Sequence, residues 1–363
     1  GELIVLKVLR FIGVVLKWTV LAVISVEVLS FLVITVTNFV LWGHAREGSR
    51  AVYDPYTLFL QAHGIRETAY NAASSKPGKD VLIWCLGGST MRGHTQDDAG
   101  TIPSQMVKRL NEANSGFRFS AVNFGMNSFN SLLETKFLQK LLIERPDRPD
   151  IIIFYDGAND ATYFAEEKNV YGHYGYRKAR AIIESYYWSP FGLLKPLNAA
   201  LYTSFTYELY SKVSEALVPA KSHSGELAKL VTETDKRYEY VNKVAGCFGA
   251  QFILFWQPMV WIEKCDVPQA VKDKEKGFFV NSQRLETLRQ NFGVPYMTLF
   301  ESLKDKPYFV DFRNVLCSRT TAAYQADGVH LTDYGRAMVG ERMAQVIQER
   351  MAKTLKLRGD TQR

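Results

Sequence analysis

From Trp18 to Trp42 the chain runs 25 residues with a single charge, Glu27. As a helix rising about 1.5 Å per residue it reaches roughly 37 Å, enough to cross a hydrocarbon core of about 30 Å. Tryptophans at both ends suit the two membrane interfaces. Upstream, Lys7, Arg10 and Lys17 fall within about 80° of one another on a helical wheel. Residues 1–42 therefore read as a basic amphipathic lead-in followed by a transmembrane anchor, with the lipid bilayer as the partner of residues 18–42. A cleavable signal would have a shorter apolar core and a small-residue exit, whereas this segment ends Asn38-Phe39-Val40-Leu41-Trp42. Glu27 is the odd residue, because a carboxylate inside a span costs a few kcal/mol unless paired, protonated or near water. It reads either as a protonated or snorkelling side chain near an interface or as a contact to an integral-membrane partner.

The anchor changes what the averages mean. The mean hydropathy of −0.12 is that of a soluble protein, yet 29 of the first 42 residues are hydrophobic. The net charge of +7 suggests a nucleic-acid or anionic partner. However, residues 1–50 carry +2 and residues 350–363 carry +4, so residues 51–349 carry only +1. A near-neutral body removes the basis for a nucleic-acid partner.

Beyond a juxtamembrane connector over residues 43–80, short apolar runs alternate with helical spacing. Val81–Leu86, Phe117–Phe124, Ile151–Tyr155, Gln251–Trp256 and Val294–Leu299 read as strands. Ile102–Asn114, Leu132–Ile143, Leu227–Val244, Lys274–Asn291 and Tyr334–Lys353 read as helices. Such alternation implies a parallel sheet covered on both faces. The domain is expected over residues 81–353, followed by a basic tail over 354–363.

Open α/β sheets place their sites in loops at the carboxyl ends of strands. Four glycine-bearing polar blocks occupy such places or the start of a helix: Gly87-Gly88-Ser89-Thr90, Asn123-Phe124-Gly125-Met126-Asn127, Asp156-Gly157-Ala158-Asn159-Asp160 and Asp327-Gly328-Val329-His330. Together they supply the parts for acyl transfer. Ser89 is the nucleophile, weak until a base takes its proton. His330 is the base, and Asp327, three residues earlier, holds its ring. The Ser89 and Gly125 amides and the Asn159 side chain are candidate donors to an oxyanion. Asp160 reads as a structural loop residue and His94 as a surface histidine. No metal-ligand spacing, Walker A or dinucleotide fingerprint occurs, so neither metal nor organic cofactor is expected.

In this order the four blocks resemble those of the SGNH hydrolases, also called GDSL esterases and lipases, over about residues 80–350. The resemblance implies a flavodoxin-like three-layer α/β/α domain, a Ser89–Asp327–His330 triad and an oxyanion hole of Ser89, Gly125 and Asn159. Gly88 and Thr90 replace the aspartate and leucine of the eponymous Gly-Asp-Ser-Leu, which leaves the subfamily open. The implied activity is hydrolysis of an ester-linked acyl group, carried by a lipid or envelope glycan near the membrane, through an acyl-Ser89 intermediate. The alternatives are an O-acetyltransferase using the same triad and a non-catalytic assembly subunit of a membrane complex.

Between Asp160 and Lys212 stand thirteen aromatic residues, about twice the chain average of 13%. This insertion, bounded at 160–225, is expected to overhang the site as a lid or sugar platform, to lie on the bilayer, or to pack on itself. Cys265 and Cys317 lie in expected loops and are free to pair if the domain is extracytoplasmic, as expected on the periplasmic or cell-surface side.

Overall fold

The computed structural model describes residues 2–42, 51–73, 77–95, 97–113, 115–188, 192–217, 224–275, 289–325 and 327–360. The chain divides into two compact units, Gly1–Gly48 with Gly175–Lys221, and Ser49–Tyr174 with Ser222–Arg363.

The larger unit holds the sheet. After a hairpin of β1 (Ala51–Asp54) and β2 (Leu58–Gln61) come β3 (Lys79–Gly87), β4 (Phe117–Asn123), β5 (Ile151–Asp156), β6 (Gln251–Trp256) and β7 (Phe309–Asp311). The last five form one sheet, all parallel, in the order β4-β3-β5-β6-β7. Counted within that sheet, the order is 2-1-3-4-5, the flavodoxin-like arrangement. Its switch point lies between β3 and β5, the strands that lead into Ser89 and Asn159.

Strand periodicity of two sorts the side chains onto two faces. Trp84, Leu86, Ile152, Phe154, Phe252 and Leu254 join one buried core. Helices α4 (Ser131–Glu144), α5 (Ala158–Glu167) and α9 (Ser224–Cys247) contribute to it. Ile83, Cys85, Ile151, Ile153, Ile253 and Phe255 join the other core. It is covered by α3 (Ile102–Glu112) and by the last helix, Asp333–Asp360. Both faces of the central strands are thus apolar, which is why they read as continuous hydrophobic runs.

Three expectations change. Val294–Leu299 is not a strand but the start of a helix, Val294–Leu303. Pro295 stands in its first turn, and Tyr296, Leu299, Phe300 and Leu303 recur at helical spacing on the buried side. The fifth strand is the three-residue β7, too short to carry a period. Of the helix expected over Lys274–Asn291, only α10 (Gln269–Glu275) and a π-helical turn at Arg289–Gly293 are described; residues 276–288 lie outside the described residues. The last helix continues to Asp360, through most of the segment expected as a separate tail.

The smaller unit contains α1 (Glu2–Trp42), α6 (Tyr176–Trp188), α7 (Lys195–Thr203) and α8 (Phe205–Leu217). An apolar helix over Ile4–Phe39 is long enough to cross a membrane. The insertion is therefore narrower than 160–225. Residues 160–167 belong to α5 of the larger unit, where Ala161 and Phe164 are core residues, and only Gly175–Lys221 joins α1.

Candidate active site

Ser89 opens a single-turn helix, α2 (Ser89–Arg92), directly after β3. The residue capping that helix is Gly88, so Ser89 is not needed as the cap. Its Oγ lies 2.6 Å from His330 Nε2. On the far side of the ring, Nδ1 bonds Asp327 Oδ2. Asp327 Oδ1 accepts from the amides of Val329 and His330, both at 2.9 Å. The Asp-x-x-His spacing thus folds into a turn in which one carboxylate holds both its own loop and the imidazole. Gly328 takes a φ of +72° in that turn, and a side chain there would strike Val260 and Trp261. The turn is tied down by Val260 N–H, which donates to Gly328 O at 2.9 Å. Burial raises the Asp327 pKa, but the bonds and charge of His330 and the two loop amides outweigh it and hold the carboxyl below its ordinary range.

The oxyanion side is packed differently. Asn159 Nδ2 donates to Phe129 O at 2.6 Å and sits directly over Gly88, where an added Cβ would approach it to 2.5 Å. An amide nitrogen carries two hydrogens, so one donor remains beside the nucleophile loop. The Ser89 amide, in the first turn of α2, belongs to the N–H groups with no acceptor inside their helix. Gly125 lies against α2, and any side chain there would collide with the Arg92 backbone. Its N–H, expected as a free donor, instead donates to Asn123 Oδ1 at 3.0 Å. The structure therefore assembles Ser89, His330, Asp327 and Asn159, while the Gly125 amide is already engaged.

Three further residues shape the site through contacts that the sequence reading did not show. Asn123 Nδ2 reaches the carbonyls of Met91 and Arg92 at 3.2 and 3.3 Å, which locks the second block onto α2. Arg66, from the segment read as connector, donates to Gly93 O at 2.5 Å and Thr95 O at 2.7 Å and pairs with Asp98 at 2.6 Å. It fixes the loop after the nucleophile. That loop carries His94, whose ring stacks on His330 with centroids 4.2 Å apart and planes 20° from parallel. No spacing rule flags such a contact, because positions 94 and 330 are far apart in sequence.

Parallel five-stranded sheet, strand-end serine and Asp-x-x-His turn now stand together. This is the arrangement that the sequence resemblance implied. Solved structures to which the chain is similar include an acetyl xylan esterase, AlAXEase, at 12% identity, covering 74% of this chain and 100% of its own with a TM-score of 0.40. The esterase EstA from Pseudoalteromonas sp. is 11% identical over 75% of this chain and 98% of its own, with a TM-score of 0.37. The lipase/acylhydrolase from Enterococcus faecalis is 13% identical over 74% and 96%, also with a TM-score of 0.37. No family model and no curated protein matches the chain.

Behind Asn159 the larger unit buries three carboxyl groups, on Glu134, Asp156 and Asp160. Asp160 accepts from Ser131 Oγ at 2.5 Å and Ser131 N–H at 3.2 Å, with Arg237 3.9 Å away. Its role is to hold the third block to α4. Asp156 accepts from Tyr238 OH at 2.8 Å. Burial and the Asp160 charge push its pKa up to about 7. Glu134, as an anion, would have no donor for either oxygen. Burial and the neighbouring Asp156 push its pKa well up, toward the neutral acid. No group of three or more metal-ligating side chains occurs among the described residues.

Proposed function

We propose that this protein is a membrane-anchored serine esterase that acts on an ester-linked acyl group of a lipid or an envelope glycan. The observation that carries the reading is the continuous Ser89–His330–Asp327 relay. His330 Nε2 takes the Ser89 proton as Oγ attacks the ester carbonyl. The Ser89 amide and the remaining Asn159 hydrogen receive the oxyanion. His330 then gives its proton to the departing alcohol, leaving acyl-Ser89. A water, deprotonated by the same imidazole, attacks the acyl group and frees the acid and the serine.

Two features support the location. The apolar helix α1, long enough to cross a bilayer, supports a membrane tether. The Cys265–Cys317 disulfide favours an oxidising compartment, hence the periplasmic or cell-surface side. The test is labelling of the full-length protein with a fluorophosphonate probe, followed by mass analysis of the acyl group on Ser89 from native membranes. Labelling is expected to disappear in Ser89→Ala. A native protein that neither labels nor cleaves p-nitrophenyl acetate overturns the reading in favour of a scaffold. Acyl transfer to a sugar hydroxyl without net hydrolysis replaces it with the O-acetyltransferase.

A further inference from the structure

The single charge of the apolar span has a partner within the chain. Glu27 Oε1 accepts from Phe205 N–H at 2.6 Å, and Oε2 accepts from Thr206 N–H at 3.0 Å and Thr206 Oγ1 at 2.7 Å. Ser30 Oγ lies 3.4 Å from Thr206 Oγ1, and the Phe31 and Phe205 rings meet edge to face at 5.0 Å. Phe205 is the first residue of α8, so Glu27 caps that helix. From Ile4 to Phe39 the covered residues of α1 are Glu27, Ser30, Ile34, Thr35 and Asn38. They form one helical stripe running from Glu27 toward Trp42, which places α8 along that half of α1.

Depth follows from the geometry. Glu27 lies twelve residues before Phe39, about 18 Å down the helix axis. In a bilayer the start of α8 then sits in hydrocarbon, where an open backbone N–H costs several kcal/mol. A helix start leaves four N–H groups without intrahelical acceptors, and Glu27 satisfies two of them. Apart from the charged start of α6, where Arg180 pairs with Glu184, the insertion turns apolar and aromatic surface outward: Ile183, Tyr187, Trp188, Leu197 and Leu201 are exposed. Lys195 Nζ lies 4.5 Å from the centroid of the Tyr186 ring, and a mixture of basic and aromatic side chains suits a membrane interface.

We infer that α6–α8 form a re-entrant membrane element, with its α7–α8 corner at the depth of Glu27 and lipid hydrocarbon as the medium around its apolar face. Glu27 is the acceptor that lets that corner enter the bilayer. The inference rests on reading α1 as a membrane span, and the test separates the two.

Full-length protein carrying Cys247→Ser is reconstituted in phosphatidylcholine vesicles. Spin labels are placed singly at Val20→Cys, Leu201→Cys and Tyr53→Cys, and collisions with oxygen and a water-soluble nickel chelate are measured. Val20 and Leu201 are expected to be protected from nickel and open to oxygen, and Tyr53 open to nickel. Nickel access at Leu201 with Val20 protected overturns the re-entrant element and leaves the anchor standing. Nickel access at Val20 overturns the anchor itself. Adding Glu27→Leu is expected to raise nickel access at Leu201 several-fold, while Glu27→Gln, which keeps an acceptor, holds it near the parent value. No change at Leu201 in Glu27→Leu, with Tyr53 mobility as the folding control, overturns the capping role.

Discussion

Asp327 and the Glu134–Asp156–Asp160 group both lie beside loops of the candidate site, and their pKa values move in opposite directions. Asp327 has three nitrogen donors for one carboxylate: two loop amides and the imidazole. The three carboxyls behind Asn159 share Ser131, Tyr238 and Arg237. Burial penalises both places, so the number of donors per carboxylate decides which group stays an anion. Its donors hold the first below the ordinary carboxyl range, and burial with neighbouring carboxyl charge pushes the second above it.

The largest effect that tests this contrast is on turnover. Asp327→Asn keeps the size of the side chain but removes the charge and favours the wrong histidine tautomer, and is expected to lower kcat about 10⁴-fold. Glu134→Gln, which keeps a neutral side chain beside Asp156, is expected to leave kcat within a few-fold at neutral pH. Equal losses in p-nitrophenyl acetate hydrolysis would break the comparison. Asn159→Ala removes one oxyanion donor and is expected to cost about 10²–10³ in kcat, with the melting temperature separating this from a loss of fold.

A smaller effect concerns stability. The folded protein keeps protons on Asp156 and Glu134 that the unfolded chain releases, so these groups make stability fall as pH rises from the ordinary carboxyl range toward about 7. Glu134→Gln removes one such group, and its melting temperature relative to the parent is expected to rise with pH. Parallel melting curves would show that Glu134 is ionised in the fold. The smallest effect is expected at His94. Its ring stacks on His330, so His94→Phe is expected to retain most of kcat and His94→Ala to lose several-fold. Equal kcat for all three proteins would remove His94 from the site.

The difference between what sequence showed and what it hid has a physical pattern. β3, β5 and β6 were visible because strands buried on both faces are continuous apolar runs, β4, at the sheet edge, because it alternates, and the Ser89, Asn159 and Asp327–His330 blocks because each is local. Val294–Leu299 misled because a six-residue apolar run fits either period until Phe300 and Leu303 are counted with it. The donors of Arg66 and Asn123, the His94 stack and the Glu27 cap join residues far apart in the chain, and no local pattern encodes them. The Gly125 amide is the subtler case. Its position was readable, whereas the nearer acceptor, Asn123 Oδ1, was visible only in three dimensions.

Gly88 is one of the two positions where this chain departs from the Gly-Asp-Ser-Leu signature, and Asn159 Nδ2 occupies the space a side chain would need. Consensus engineering, which ordinarily stabilises a protein, would restore aspartate at that position. In this background the restored residue would drive the Asn159 amide off Phe129 O and out of the oxyanion region. Positions 88 and 159 form a coupled unit, to be exchanged together or left alone by anyone grafting this site onto another member of the fold.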